Sequence, residues 1–520
     1  MYTALLLGLL PLASATIKGK EGNCAAEHIK FANPSHVCNT LKAQFANLTF
    51  LPEDQGYEKE TKVSWDASSW TNPACVFVPR NADDLSYAVK AMVKTSTLFA
   101  MRGGGHMPIS DAANINSTGV QISSTNLNIL ALSEDKQTMS IGPAFRWGDV
   151  FEFMDGSNLT VVGGRLPPVG VPGLLLGGGI SYFSYAHGLA SSNGKIKAYE
   201  VVLANGTVAT ITADGDHADL YWALQGGGNS FALVTRFDLQ TFPLQQTLRA
   251  EATYEESEET KDVYLDALLD YTLHGDVDPA FAITPVARWG PNFTVPSYEA
   301  TLLFNGSVAP SHGPATKFFN GSIKSVNDSS TLKPQSLAEY SRLTKFAFEE
   351  GGPGYGFRQR FRVVPAKATR EAMDIIHDNW FDLLKERDLA NRITGFFCGL
   401  AYNAVTRTMA RMSEGSPQNV DQEPAFWVEE SISWSNAEDD PQITKFLEDV
   451  NAKIEAQLKE KDLMARYIYL NDANKGQGVF ESYGNENVRK LQAIRDRYDP
   501  NRIYTDLMPG GFKVAHAKAK

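Results

Sequence analysis

Glycine gathers in three separate stretches of this 520-residue chain, and an ordinary hydrophobic core has little use for so many residues without side chains. The first is Phe99-Ala100-Met101-Arg102-Gly103-Gly104-Gly105-His106-Met107-Pro108. Lacking Cβ, consecutive glycines turn through positive φ and let backbone N–H groups converge on an anion such as a pyrophosphate. Arg102 would add a fixed cationic fork, and His106 a ring nitrogen able to act as base, metal ligand or nucleophile. On its own, the stretch reads as no more than a turn after a strand. The second stretch spans 162–181 and holds Gly163, Gly164, Gly170, Gly173 and the run Gly177-Gly178-Gly179; the third spans 219–231 and holds Gly226-Gly227-Gly228. So much glycine around apolar residues costs conformational entropy, which is understandable where something flat must lie against the main chain.

Competing sites are absent from the sequence. There is no G-x-G-x-x-G, and the nearest approach to a Walker loop, Gly188 to Gly194-Lys195-Ile196, has the wrong spacing and no Ser or Thr for Mg²⁺. H-E-x-x-H and G-x-S-x-G are missing, and the nine histidines form no metal-ligand cluster, so no metal site is expected. A formal net charge of −12 disfavours nucleic acid and anionic membrane as partners.

Ala4-Leu5-Leu6-Leu7-Gly8-Leu9-Leu10, followed by Ala13-Ser14-Ala15, predicts a signal peptide over 1–15 and hence secretion without a membrane span after cleavage. N-x-[ST] sequons at Asn47, Asn116, Asn158, Asn205, Asn292, Asn305, Asn320 and Asn327 fit that route as glycosylation acceptors. Cys24, Cys38, Cys75 and Cys398 allow up to two disulfides in three connectivities.

In chain order, 16–70 reads as an N-terminal cover broken by Asn33-Pro34 and Leu51-Pro52. A strand over 74–79, a helix over 83–95 and a strand over 97–101 follow, then strands near 119–123 and 140–144 and a helix over 147–154. Residues 199–210 predict a hairpin whose Asn205-Gly206 favours a type I′ turn. Between 246 and 464, strand-like stretches around Phe281 and Ala300 alternate with helical spacing over 367–385 and 442–461, which suits an antiparallel sheet with helices on one face.

The three glycine stretches, in this order and spacing, resemble the vanillyl-alcohol-oxidase superfamily and, within it, the berberine-bridge-enzyme-like branch. The closing Arg497-Tyr498-Asp499-Pro500-Asn501-Arg502-Ile503-Tyr504 and Met508-Pro509-Gly510-Gly511-Phe512-Lys513 match that branch's C-terminal signature. The likeness runs from about 70 to 242 and returns from about 465 to 513. It implies an α+β fold: a two-subdomain PCMH-type FAD-binding domain plus a substrate domain whose antiparallel sheet is covered by helices. The expected boundaries are 16–70 for the extension, 71–245 for the FAD domain, 246–464 for the substrate domain and 465–520 for the segment returning to the FAD domain. A Cys38–Cys75 disulfide would then tether the extension to the first strand of the FAD domain.

The resemblance also implies roles. His106 would carry FAD through an 8α-histidyl bond, with Arg102, Gly103, Gly104, Gly105, Met107, Gly164, Gly170 and Gly173 around it. Ser181, Gly188, Asn193 and Val201 fall in stretches that contact FAD in relatives. Many members add a second bond from a Cys whose position is Leu166 here, so a single covalent link is expected. Val169 stands at the family's oxygen gate, where a small residue admits O₂; it reads equally as a packed loop residue. Tyr469-x-Asn471 resembles the Y-x-N motif, whose Tyr removes the substrate hydroxyl proton, although a tyrosine of ordinary pKa near 10 needs a nearby cation or donor and a core tyrosine is the competing reading. Phe357, Arg358, Arg360, Phe396, Phe397, Trp427 and Trp434 are candidates for a substrate pocket, against the alternative that such aromatics are core.

The expectation is a secreted, monomeric FAD-dependent oxidase. It takes hydride from an alcohol or activated C–H of a sugar or specialised metabolite and passes electrons to O₂ to give H₂O₂. A flavin dehydrogenase with another acceptor, an oxidative cyclase and a cofactor-free carbohydrate-binding module are the rivals.

Overall fold

The computed structural model describes residues 31–519; the expected signal peptide, Cys24 and the start of the N-terminal cover lie outside them. Helix Ala82–Thr95 shows how local chemistry sets the first layer. The Asn81 side chain accepts the Asp84 amide at 2.9 Å, Asp83 and Asp84 sit at the positive end of the helix, and Leu85, Ala88, Val89 and Met92 are buried. The helix packs with a four-stranded sheet ordered Thr49–Phe50, Cys75–Phe77, Gly119–Ser123, Leu98–Arg102, whose last three strands are parallel. Leu98–Arg102 therefore delivers Gly103 to His106 at the carboxyl end of a parallel strand, where ligand clefts of such sheets form. A Cys38–Cys75 disulfide ties the preceding helix Ser35–Gln44 to this sheet, and Cys398 is buried without a disulfide among the described residues.

A second sheet is ordered Leu130–Leu132, Thr138–Ile141, Leu233–Gln240, Ile196–Val202, Val208–Thr212, all antiparallel. The expected hairpin is present with a different turn. Gly206 alone has positive φ, and its amide donates to Leu203 O, while Leu203 and Thr207 still pair. This is a three-residue loop with Gly206 in the bulge position, because Asn205 spends its side chain on the Thr207 amide and keeps negative φ.

The third sheet has seven antiparallel strands, ordered Lys333–Pro334, Thr247–Thr253, Ser297–Asn305, Phe281–Trp289, Phe397–Val405, Ala425–Trp434, Arg358–Lys367. Helices Glu258–His274, Arg370–Arg387 and Asp440–Glu460 cover one face. Strand alternation sorts its side chains. In Arg358–Lys367 the alternate residues Arg358, Arg360 and Arg362 reach Asp440, Thr444 and Glu455 of the last helix, and Phe361 points the other way, into a cleft. The chain then returns to the glycine loops: Arg497 and Tyr498 bond Asp219, Tyr504 donates to Val202 O, and Lys513 donates to Asn229. The fold is thus the expected α+β arrangement.

Candidate active site

One cleft runs between the glycine loops and the open face of the seven-stranded sheet. Its first wall is mostly main chain: Gly103, Gly104, Gly105, His106 and Met107 from the first stretch, Val169, Gly170 and Gly173 from the second, Gly228 from the third, and Gly511 from the C-terminal segment. Two reasons for glycine separate here. Gly104 and Gly170 touch each other, and a Cβ on Gly170 would lie 2.6 Å from Gly104 Cα, so these glycines let two loops close together. At Gly173 a Cβ would meet nothing within 4 Å; that backbone faces open cleft.

His106 sits on this wall with its Nδ1 buried and without a hydrogen-bond partner. Burial, and then the Arg146 guanidinium, push its pKa down to about 3, so the imidazole is neutral with a lone pair available. Arg146 bonds Pro168 O and Val63 O. The orphaned ring nitrogen and the bare backbone at Gly173 are what a flat cofactor attached at His106 would require.

The opposite wall is made of side chains. Phe361 is apolar; Arg165, Glu429, Tyr469 and Asp472 make a polar end. Arg165 Nη2 donates to Asn403 Oδ1 at 2.8 Å, and Asn403 Nδ2 donates to Asp472 Oδ2 at 3.1 Å. Burial raises the Asp472 carboxyl well above the usual range, and the Glu429 charge beside it raises it further. Burial likewise pushes Glu429 up to about 7, against the pull of Arg165 and Arg288. The pair thus holds a proton near neutrality, and Glu429, the more exposed of the two, ionises into the cleft. The Tyr469 hydroxyl oxygen accepts from Ile180 N–H at 2.9 Å and Asn471 Nδ2 at 3.0 Å. Asn471 also donates to Leu174 O, which pins the tyrosine to the second glycine stretch. Burial, more than any other influence, raises the Tyr469 pKa, so its phenol is protonated at neutral pH.

Known proteins resemble this chain in sequence and in fold. The FAD binding domain family matches residues 73–212. An "FAD-dependent monooxygenase prx3" of Penicillium roqueforti is 32% identical over 500 residues, 93% of this chain and 94% of the relative. The chain belongs to the FAD-dependent oxidoreductases that carry this FAD-binding domain. A "Bifunctional solanapyrone synthase" of Alternaria solani is 29% identical over 513 residues, 96% of this chain and 92% of that protein. The structure of berberine bridge enzyme from Eschscholzia californica superposes with a TM-score of 0.72 at 16% identity, covering 93% of this chain and 99% of that one, and shows the shared fold.

Within this FAD-dependent oxidoreductase, several expected contacts lie elsewhere. Arg102 does not face the cleft: it is buried, donating to Glu60 O and to Ser123 Oγ at 2.5 Å with its guanidinium 3.4 Å from the Glu60 carboxylate. It is the carboxylate of the N-terminal cover, not a phosphate, that neutralises it. Gly164 is pressed against the Trp147 ring, and Ser181 serves a local turn with Phe183 and Ser184. Gly188 and Asn193 both meet Met412 O, and Val201 is an inner strand residue paired with Val234. None of these lines the cleft. The proposed pocket aromatics are also displaced: Trp434 faces the helices and donates to Asp440, Trp427 stacks behind Tyr469 with ring centroids 5.4 Å apart, Phe396 is buried, and Phe397 stands on the surface at 38% exposure. Phe357 offers its carbonyl to Ala67 N–H. Sequence reasoning missed Arg165, Glu429 and Asp472. A usable signal for Glu429 was a carboxyl two residues after Trp427, on the same face of the strand.

Proposed function

We propose that this FAD-dependent oxidoreductase is a secreted oxidase, with FAD held by a single covalent bond through His106. It acts on an alcohol or activated C–H of a sugar or specialised metabolite, and O₂ is reduced to H₂O₂. The observation that carries the reading is the pairing of a buried, unpartnered His106 nitrogen on a glycine wall with a partly exposed carboxyl, Glu429, on the facing wall. FAD bound between them supplies the two-electron acceptor.

The chain's own residues would do the rest. Glu429 accepts the proton from the substrate hydroxyl, its raised pKa matching neutral pH. Arg165 stabilises the negative charge that remains after that transfer, and Asn403 fixes its orientation. Tyr469, kept protonated, donates to the substrate oxygen and orients it. Leu166, exposed at the cleft where many relatives have Cys, makes no second link, and Val169 on the same wall is small enough to leave room for O₂. Seven of the eight sequon asparagines are exposed and Asn305 is half-buried, which fits glycosylation along a secretory route. A monomer is the working state.

An oxidative cyclase is the second reading, favoured by the likeness to a protein named solanapyrone synthase. Substrate-reduced protein, mixed with air, tests the oxidase reading. Reoxidation within seconds and stoichiometric peroxide support it; reoxidation over many minutes, with fast turnover on an artificial acceptor, indicates a dehydrogenase. A pre-oxidised substrate that still cyclises without oxygen indicates the cyclase.

A further inference from the structure

A strip of the N-terminal cover closes over His106 from outside the cleft and is stitched to both walls. On the glycine side, Trp65 N–H donates to Gly105 O at 2.9 Å, Arg146 donates to Val63 O at 3.2 Å, and a Cβ on Gly105 would lie 2.8 Å from Ser64 Cα. On the sheet side, Ala67 N–H donates to Phe357 O at 2.9 Å, Gln359 N–H to Asp66 Oδ1 at 3.0 Å, and the Trp65 indole N–H to Gly354 O at 3.2 Å. Between these anchors the Trp65 indole lies flat on the His106 ring, with centroids 4.4 Å apart and planes 12° apart. Phe348 meets the same imidazole edge-on at 6.5 Å.

An imidazole on a glycine loop has few neighbours of its own to fix its plane. A stacked indole covers one face, excludes water and leaves the ring edge, where the nitrogens are, to point elsewhere. We propose that Trp65 is a positioning residue for covalent attachment of the flavin, holding the His106 ring plane fixed while one of its nitrogens forms the bond. The inference rests on the reading of His106 as the flavin carrier. The new bond joins that nitrogen to the 8α carbon of the cofactor. One C–H of the 8α methyl and one imidazole N–H are lost, and their two electrons and two protons pass through the flavin to dioxygen, giving H₂O₂. Trp65 takes no part in the electron count; it sets how often the ring is presented correctly.

The test compares the whole protein with Trp65→Phe, Trp65→Leu and Trp65→Ala. Two quantities are measured: FAD per chain in the native protein, and the fraction of that flavin left in the acid-precipitated, washed pellet. Trp65→Phe keeps a stacking ring but loses the bond to Gly354, and should match wild type in both. Trp65→Leu and Trp65→Ala should bind FAD natively at near wild-type stoichiometry, with the pellet fraction down at least tenfold. Wild-type retention in the Leu and Ala pellets overturns the proposal. So does loss of native FAD in those variants, which would make Trp65 a folding or binding residue. A wild-type pellet without flavin overturns the linkage itself, an outcome distinct from any effect of Trp65.

Discussion

The two walls of the cleft are built on opposite principles. The glycine wall works by the absence of side chains: Gly104 against Gly170 lets two loops touch, and Gly173 leaves backbone open. The sheet wall works by side chains that strand alternation aims inward, Phe361 and Glu429 from neighbouring strands, with Asp472 and Tyr469 joining from the C-terminal segment. The first kind of surface suits one flat cofactor and tolerates little change; the second places a few polar groups whose chemistry can vary over a constant frame.

Breaking the glycine wall should have the largest effect. Gly104→Val puts a branched side chain where Gly170 already stands, so native FAD content should fall more than tenfold and the melting temperature should drop, read by absorbance and calorimetry. Breaking the sheet wall should spare the cofactor. Glu429→Gln should keep wild-type flavin content and lower kcat by roughly 10²–10³. The wild-type rate should climb as pH rises through about 7 and level off above it, because the carboxylate is the active form; the Gln variant should lose that rise. Tyr469→Phe sharpens the assignment: as a donor the hydroxyl should be worth roughly tenfold in kcat, and a loss larger than that of Glu429→Gln would make the tyrosine the base.

The smallest effect concerns the neighbour on the other face of the same strand. Glu430 is fully buried, accepts from Asn451 at 2.7 Å, and burial pushes it up to about 8. Its folded pKa lies above the unfolded value near ~4.3. The native state therefore holds that proton more tightly, an advantage complete at low pH and lost as pH rises toward 8. Glu430→Gln should leave kcat unchanged and raise the melting temperature by about 2–4 °C at pH 8, with a smaller gain at pH 5.

The contrast also explains what the sequence disclosed. Each glycine run of the first wall is contiguous in the chain, so the segments holding Gly103 to His106 and Gly170 to Gly173 could be read directly, as could helices such as Trp147–Met154, where local spacing decides. Arg102 misled because a cation beside a phosphate-like loop looks the same on paper whether it meets a ligand or Glu60, a carboxylate 42 positions earlier. Arg358 and Arg360 misled because strand phase, set by pairing with distant strands, decides which face an arginine takes. Arg165, Glu429 and Asp472 come from three remote segments, and only the fold makes them neighbours.

A flavin joined to one imidazole would leave its mass on one peptide. Tryptic cleavage after Arg102 and Lys136 gives a single peptide, 103–136, that contains His106. Mass spectrometry of the denatured, deglycosylated protein should find FAD on that peptide, bound at His106, and on no other. An unmodified 103–136 peptide with free flavin in solution, or flavin on the peptide that contains Leu166, would contradict it.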